Sequence, residues 1–132
     1  MMKRFKTYLI ALFALAITTN AYAFDFTDFG IWAGQWVDIN AHVKINDNSR
    51  VGSGGDMTIG AFAEVNEIQG NGFLRTLKKS VINGDATFGG DAYVGAYATV
   101  SGNLDSGGDA TLKVGAHISG DLTTAGTISK GT

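Results

Sequence analysis

An alternation of apolar and polar residues that continues from Ile82 to Ile128 constrains the fold more than any other feature of this chain. The even-numbered positions there are apolar or small, and the odd-numbered positions carry every charged residue. A period of two indicates extended backbone with one buried face, but an ordinary strand ends after about 5 to 6 residues. Loops of varied length would scramble the parity, so the chain must coil with a fixed, even number of residues per turn.

The sequence repeats itself at an offset of 18, which gives the length of one turn. The segment GDAYVGAYATVSGNL from Gly90 aligns without a gap on GDATLKVGAHISGDL from Gly108. A weaker repeat of six residues divides each unit into three sides. Self-similarity at a short fixed period is typical of solenoids, in which each coil buries its apolar face against its neighbours. The sequence therefore predicts an all-β, three-sided β-helix (β-solenoid) over residues 37–132, with its handedness left open.

The repeat changes phase once. From Val37 to Val65 the apolar residues are at odd positions, and GDMTIGAFAEV from Gly55 precedes its counterpart from Gly90 at an offset of 35, one short of two coils. The chain must lose one residue of phase before Ile82. This predicts an irregular insertion at residues 66–80, in the form of a bulge, a loop or a short helix.

The segment before the repeat, residues 24–36, is the most aromatic part of the chain. Phe29, Trp32 and Trp36 are spaced like one face of a helix. Solenoids need a terminal element that covers the exposed end of a coil. We therefore expect a short aromatic N-terminal cap, with self-association through Trp32 and Trp36 as the alternative.

Residues 1–23 have the features of a secretory signal peptide. A basic head is followed by an apolar run from Tyr8 to Ile17 and by the small-x-small sequence Ala21-Tyr22-Ala23. The apolar run is too short to span a membrane, and no second long apolar run follows. The sequence thus predicts export to the periplasm, the outer surface or the medium, with no transmembrane segment in a mature chain that begins at Phe24.

Charge and composition narrow the classes of partner. The predicted signal peptide holds three of the ten basic residues and none of the twelve acidic ones, so the mature chain has seven basic residues and a net charge of −5. Nucleic acids and anionic membranes need clustered Lys and Arg, which disfavours both as general partners. The chain has no Cys, so coil stacking rather than disulfides must supply its stability.

The units GDATFGGDAYVGAYATVSGNL, from Gly84, and GGDATLKVGAHISGDL, from Gly107, resemble the repeats of bactofilins, a polymer-forming cytoskeletal family. The resemblance covers residues 37–132 and is strongest from Gly84 on. It implies a three-sided β-helix whose subunits join end to end into nonpolar filaments without a nucleotide. Bactofilins are cytoplasmic scaffolds, so the predicted export signal of this chain is a difference from that family.

Shorter units such as VGAYAT at Val94 also satisfy the hexapeptide pattern of left-handed β-helix acyltransferases. Those enzymes need a catalytic His, and the two His residues here, His42 and His117, are both at outward positions. A lone surface His is usually only solvated, and an acyl-CoA donor is not expected outside the cytoplasm. The sequence therefore predicts no enzymatic activity, no catalytic residue and no cofactor.

Several outward residues are candidates for contact rather than chemistry. Asp91 and Asp109 share one column of the repeat, and a divalent cation would relieve their repulsion, which makes them weak metal candidates. The simpler interpretation is that each Asp bonds its own turn at a corner. The candidates for contact with a partner are basic or aromatic: Arg75, Lys78, Lys79, Tyr93 and Tyr97.

Two functions remain. The first is an exported structural protein that self-assembles by stacking coil ends into filaments or an envelope scaffold, with Trp32, Trp36 and Ile128 as candidates for the joint. Ile128 lies in the last coil, where unpaired strand edges would serve as a template for another chain. The second is a monomeric binding module that uses an outward face for polysaccharide, protein or a divalent cation.

Overall fold

The structure is a computed structural model that describes residues 29–45 and 48–132. The predicted signal peptide and residues 24–28 of the predicted cap lie outside these ranges. Within them the regular elements are sixteen β-strands, and there is no helix long and apolar enough to cross a membrane. The strands are β1 (Phe29–Ala33), β2 (Trp36–Ile39), β3 (Arg50–Ser53), β4 (Asp56–Ile59), β5 (Glu64–Val65), β6 (Ile68–Gly70), β7 (Leu74–Thr76), β8 (Val81–Ile82), β9 (Ala86–Phe88), β10 (Ala92–Val94), β11 (Thr99–Val100), β12 (Leu104–Ser106), β13 (Ala110–Leu112), β14 (His117–Ile118), β15 (Leu122–Thr124) and β16 (Ile128–Lys130).

The strands form three parallel sheets, and each full coil contributes one strand to each sheet. Sheet A has the order β1-β3-β6-β9-β12-β15, sheet B the order β2-β4-β7-β10-β13-β16, and sheet C the order β5-β8-β11-β14. The paired strands are one coil apart. Ala86 pairs with Leu104, and Leu104 with Leu122, so the predicted offset of 18 is the spacing between coils. The predicted three-sided β-helix is confirmed.

Alternate side chains of each strand fill the interior. In β9, for example, Ala86 and Phe88 are buried while Thr87 between them is exposed. Burying each large aliphatic side chain contributes about 1.5–3 kcal/mol, so a stack of short strands supplies a substantial core without disulfides. The largest fully buried apolar side chains are Met57, Ile59, Ile68, Leu74, Ile82 and Leu104.

Coil length varies at one corner, between sheet C and sheet A. Val51 pairs with Ile68 at an offset of 17, whereas Ile68 pairs with Ala86 at the usual offset of 18. The missing residue is in the connection from β5 to β6, which has two residues, 66 and 67, where β8 and β9 are joined by three. Residues 66–80, expected to be an irregular insertion, instead contain β6 and β7 in register with their neighbours. The phase change is therefore a shortened corner.

The aromatic N-terminal segment also differs from its expectation, because its described part is strand rather than helix. β1 and the start of β2 form the first coil on sheets A and B. A register irregularity between Phe29 and Ile31, followed by the corner before Trp36, produces the helix-like spacing of the aromatic residues. The rings of Phe29 and Trp32 meet edge to face with centroids 5.1 Å apart, against the position of Gly52.

Candidate functional site

The corner between sheet B and sheet C carries a column of residues with left-handed backbone. One residue per coil has a φ between 56° and 68° there, and four of these five residues are not glycine. A side chain in this conformation costs about 1–2 kcal/mol because its Cβ crowds the following carbonyl oxygen. The column, called the left-handed column below, consists of His42, Phe62, Lys79, Tyr97 and Gly115.

Side chains of this column stack along the solenoid axis. The rings of His42 and Phe62 are parallel within 2°, with centroids 5.0 Å apart, and Lys79 Nζ lies 5.8 Å from the Phe62 centroid. The Tyr97 ring lies against Gly115, where a Cβ would overlap it. Phe62 and Tyr97 remain 44% and 54% exposed. The Phe62 ring therefore lies between His42 on one coil and Lys79 on the next and is only partly exposed.

Sheet B adds a second group of cations and an aromatic ring beside this column. Arg75 pairs with Tyr93 in the sheet, and its Cζ lies 5.9 Å from the Tyr93 ring centroid. Lys113, on the next coil, places its Nζ 5.5 Å from the same centroid. These distances are within the range of cation–π attraction, which is about 0.5–1 kcal/mol at exposed sites.

The structure thus brings all five predicted contact residues together on one side of the molecule. We call this side the aromatic–basic face. Lys113 was not among the predicted residues, although it follows Tyr93 by one coil plus two positions and so shares its outward parity. The face consists of Phe62, Arg75, Lys78, Lys79, Tyr93, Tyr97 and Lys113.

Three acidic residues, Asp56, Asp91 and Asp109, lie at the corner between sheet A and sheet B. Asp91 Oδ1 accepts a hydrogen bond from the backbone N–H of Asp109 on the next coil at 2.9 Å, and Asp109 Oδ1 accepts one from Thr127 at 2.8 Å. Asp56 and Phe73 form the same bond at 3.0 Å. The expectation that each Asp bonds its own turn is corrected, since these carboxylates bridge successive coils.

Some of the corner glycines follow from this carboxylate ladder. A methyl group at Gly108 would overlap Asp91 Oδ1, and one at Gly126 would overlap Asp109 Oδ1. Glycine thus makes room for the carboxylate of the preceding coil. The equivalent position in the first described coil is Gln35.

The weak metal candidates gain no further ligands from the fold. Asp91 and Asp109 each commit one oxygen to the ladder. In residues 29–45 and 48–132 there is no group of three or more His, Cys, Asp or Glu side chains that could hold a metal ion. Of the two His residues, His42 is stacked on Phe62, and His117 is exposed on sheet C.

The last coil is open on its outer side. β14, β15 and β16 are the end strands of their sheets, and sheet C has four strands against six in sheets A and B. A cleft of about 420 Å³ lies there, lined in part by Leu112, Ile118 and Leu122. Ile128 points inward, in the column of Ala110, yet is 48% exposed. An apolar interior is therefore accessible at this end.

The three residues predicted for self-association have different environments. Ile128 is at the open end of the last coil. Trp36 is 63% exposed on β2, at the opposite end of sheet B. Trp32 is partly buried and packs within its own chain, on Phe29 and over Gly52.

Comparison of the chain with known proteins found no matching family model, no matching curated protein and no matching solved structure. The fold assignment rests on the strand pairing described above. The resemblance to bactofilins stays a prediction from the repeats, and the functional argument rests on the two surfaces, the open coil end and the aromatic–basic face.

Proposed function

We propose that this protein is an exported structural protein that self-assembles by stacking the end of one β-helix on the end of another. The observation that carries the proposal is the open last coil, where Ile118, Leu122 and Ile128 are only partly covered. Partly covered apolar side chains beside unpaired strand edges favour the addition of another strand.

The two ends have complementary arrangements. At the first coil, Ile31 is 39% exposed at the inward side of β1, in the same sheet as β15. A second copy placed beyond the last coil would set its β1 beside β15 and its β2 beside β16. The joint would then continue the parallel register that runs through each chain, and backbone hydrogen bonds would contribute about 0.5–1.5 kcal/mol each.

The missing third side of the last coil gives the joint a specific shape. Sheet C ends at β14, one coil before sheets A and B end. The cleft lined by Leu112, Ala116 and Ile118 lies where the next strand of sheet C would pack. A neighbouring copy that packs against this side would cover the core of the last coil.

Electron microscopy and sedimentation over a concentration series test the proposal. We expect filaments or ribbons whose abundance rises with protein concentration, and loss of assembly in Ile128→Glu. The matched control is Ser129→Glu, which places the same charge one residue further along β16 on the outward side. Monomers at every concentration would contradict the proposal, as would assembly that Ile128→Glu leaves intact.

A second candidate function is a binding module, and the aromatic–basic face is the specific observation that favours it. This face lies along the sides of the coils rather than at their ends. Assembly through the coil ends would leave it accessible. The two functions are compatible, and experiments that follow assembly and binding separate them.

A further inference from the structure

Sheet C has no described strand level with the last strands of sheets A and B. Its end strand is β14, whereas β15 and β16 lie one coil further along the axis. The cleft of about 420 Å³ occupies this position, and its lining combines apolar side chains with Lys113 and Lys130. Lys130 is in the inward column of Leu112, where covering the coil without an anionic partner would be costly. An occupant that carries both apolar and acidic groups would match this lining.

Residues 24–28, which lie outside the described ranges, have such a composition. Their sequence is Phe-Asp-Phe-Thr-Asp, in which the two aromatic residues have the period of a strand with one buried face. They directly precede β1, and each described strand of sheet C leads into a strand of sheet A. The proposed joint sets β1 of a second copy beside β15. Residues 24–28 of that copy would therefore reach the open side of the last coil.

We propose that residues 24–28 of one copy form the missing strand of sheet C in the last coil of the neighbouring copy. The inference rests on the proposed end-to-end assembly and deepens it, because it names the segment that completes the joint. The completed coil combines β15 and β16 of one chain with a strand of the next. Because the joint unites different ends of the chain, it extends without closing.

The register of β1 determines which residues of the segment face inward. Phe29 pairs with Arg50, and the pairing along sheet A places both in the column of Asp121. The corner from sheet C to sheet A has three residues at its last three occurrences, so Asp121 follows the inward residue Ile118 by three positions. A corner of the same length places Phe26 in the column of Ile118.

The apolar residues of sheet C are incompletely covered on both sides of such a joint. Phe24, two residues before Phe26, takes the column of Ala116, which lines the cleft. At the other end of sheet C, in the copy that supplies the segment, Val43 is 39% exposed and Ile45 is partly buried. Aromatic side chains bury about 150–250 Å² each. The two rings would thus cover apolar side chains of both copies.

The charges and the strand edge favour this occupant over a small amphiphile. The described residues that line the cleft include two lysines and no carboxylate, and the segment adds Asp25 and Asp28, which oppositely charged groups attract. The outer edge of β14 has no partner strand among the described residues. A peptide strand satisfies its backbone N–H and C=O groups, whereas an acyl chain would fill the apolar part and leave them unpaired.

The experiment is disulfide cross-linking between copies, and the chain suits it because it has no Cys. Asp25→Cys and His117→Cys are introduced into separate preparations of the full protein, which are mixed, concentrated and oxidised. The register makes these two residues neighbours on adjacent strands about 4.8 Å apart, a Cα separation that a disulfide spans. We expect a mixed dimer on non-reducing gels. Thr99→Cys is the matched control, because Thr99 is in the same outward column but one coil further from the joint.

Phe26→Asp measures what the segment contributes to assembly. A charge in the inward column should raise the critical concentration for filaments about tenfold or more, as expected for an aromatic anchor at an interface centre. Thr27→Asp is the control, because it places the same charge one residue further along, at the corner. Circular dichroism checks that both variants keep the β-solenoid.

The outcomes separate this inference from the proposed assembly. Filaments that give no mixed dimer would overturn the inference and leave the assembly standing. Equal cross-linking to Thr99→Cys would also overturn it, as would a predominance of dimers between two Asp25→Cys chains, which indicates a joint of identical ends. Filaments unchanged by Phe26→Asp would contradict it as well. Monomers at every concentration would overturn both proposals.

Discussion

The two corners that flank sheet B solve the problem of stacking coils in different ways. At the corner from sheet A, Asp91 and Asp109 bond the next coil, and Gly108 and Gly126 make room for their carboxylates. At the corner to sheet C, bulky residues such as Tyr97 occupy a left-handed conformation and stay exposed. The first corner repeats a hydrogen bond between successive coils, although Phe73 takes the place of Asp in one coil. The second retains side chains that a glycine could replace, and residues held in such strained conformations cluster at functional sites in proteins.

The largest expected effect is at the first corner. Gly108→Ala forces its methyl group onto Asp91 Oδ1, so we expect the free energy of unfolding to fall by about 1–3 kcal/mol. Urea denaturation measures the change. Gly34→Ala is the control, because a methyl group there meets no atom within 4 Å. Equal destabilisation by both substitutions would show that the carboxylate ladder does not determine the need for glycine.

The next effect tests the ladder directly. Asp91→Ala removes the hydrogen bond to the backbone N–H of Asp109 and should cost about 1 kcal/mol. Asp91→Asn keeps an acceptor oxygen and should cost less. Asn103 already forms such a bond, because its Oδ1 accepts a hydrogen bond from the backbone N–H of Asp121. In the Asp91→Ala background the additional cost of Gly108→Ala should shrink, because the overlapping oxygen is gone. Additive costs in this double-mutant cycle would contradict the explanation that Gly108 makes room for the Asp91 carboxylate.

A smaller effect of opposite sign is expected at the second corner. Tyr97→Gly should be more stable than Tyr97→Ala by about 0.5–1 kcal/mol. Only glycine relieves the left-handed strain. Its greater conformational freedom in the unfolded chain offsets part of that gain. Thermal and urea unfolding of the two variants give the difference. The same order should hold at Gly115→Ala, with the alanine variant less stable than the parent protein, which has glycine there. Tyr97→Ala as the more stable variant would argue against strain at this corner.

The smallest expected effect concerns pH on sheet C. Hydrogen bonds from Asn83 and Lys44, with the charge of Lys44, lower the pKa of Glu64 from its ordinary value of 4.5. Since the folded-state pKa is depressed, Glu64 stabilises the fold above the ordinary value, and this contribution is lost as pH falls through the lowered pKa. The stability difference between the protein and Glu64→Gln should therefore shrink on acidification. A difference that stays constant from neutral to acid pH would contradict this coupling.

The sequence predicted the coil because an offset of 18 places Ile82, Val100 and Ile118 in one column, and the structure pairs these residues. The alternation of apolar and polar residues located the phase change before Ile82. It could not show whether the chain bulges there or has one shortened corner, because both change the alternation by one residue. The helix-like spacing of the N-terminal aromatic residues was misleading for a similar reason, because an irregularity near Phe29 shifts the strand by one position.

The candidate site was less predictable than the fold. Tyr93 and Tyr97 were identified as outward residues and Arg75 as a basic residue of the expected insertion, but the sequence did not show that they share a face with Lys113. Of His, Phe, Lys and Tyr, only His is enriched among residues with left-handed backbone, so the left-handed column left little signal apart from His42 and Gly115. A left-handed position can be recognised from sequence when glycine occupies it in every coil. At this corner the left-handed positions hold different residue types, so the sequence did not reveal them.

The variable corner between sheets C and A has a practical consequence for engineering. Ile31 pairs with Val51 at an offset of 20, while Val51 pairs with Ile68 at an offset of 17, and both departures from the usual spacing arise in this corner. The other two corners have the same number of residues in every described coil. A peptide inserted between Asn66 and Glu67 would thus be displayed as a loop from a rigid rod. Loops inserted at this corner of successive coils would form a regular row, with insertion points about 4.8 Å apart along the axis.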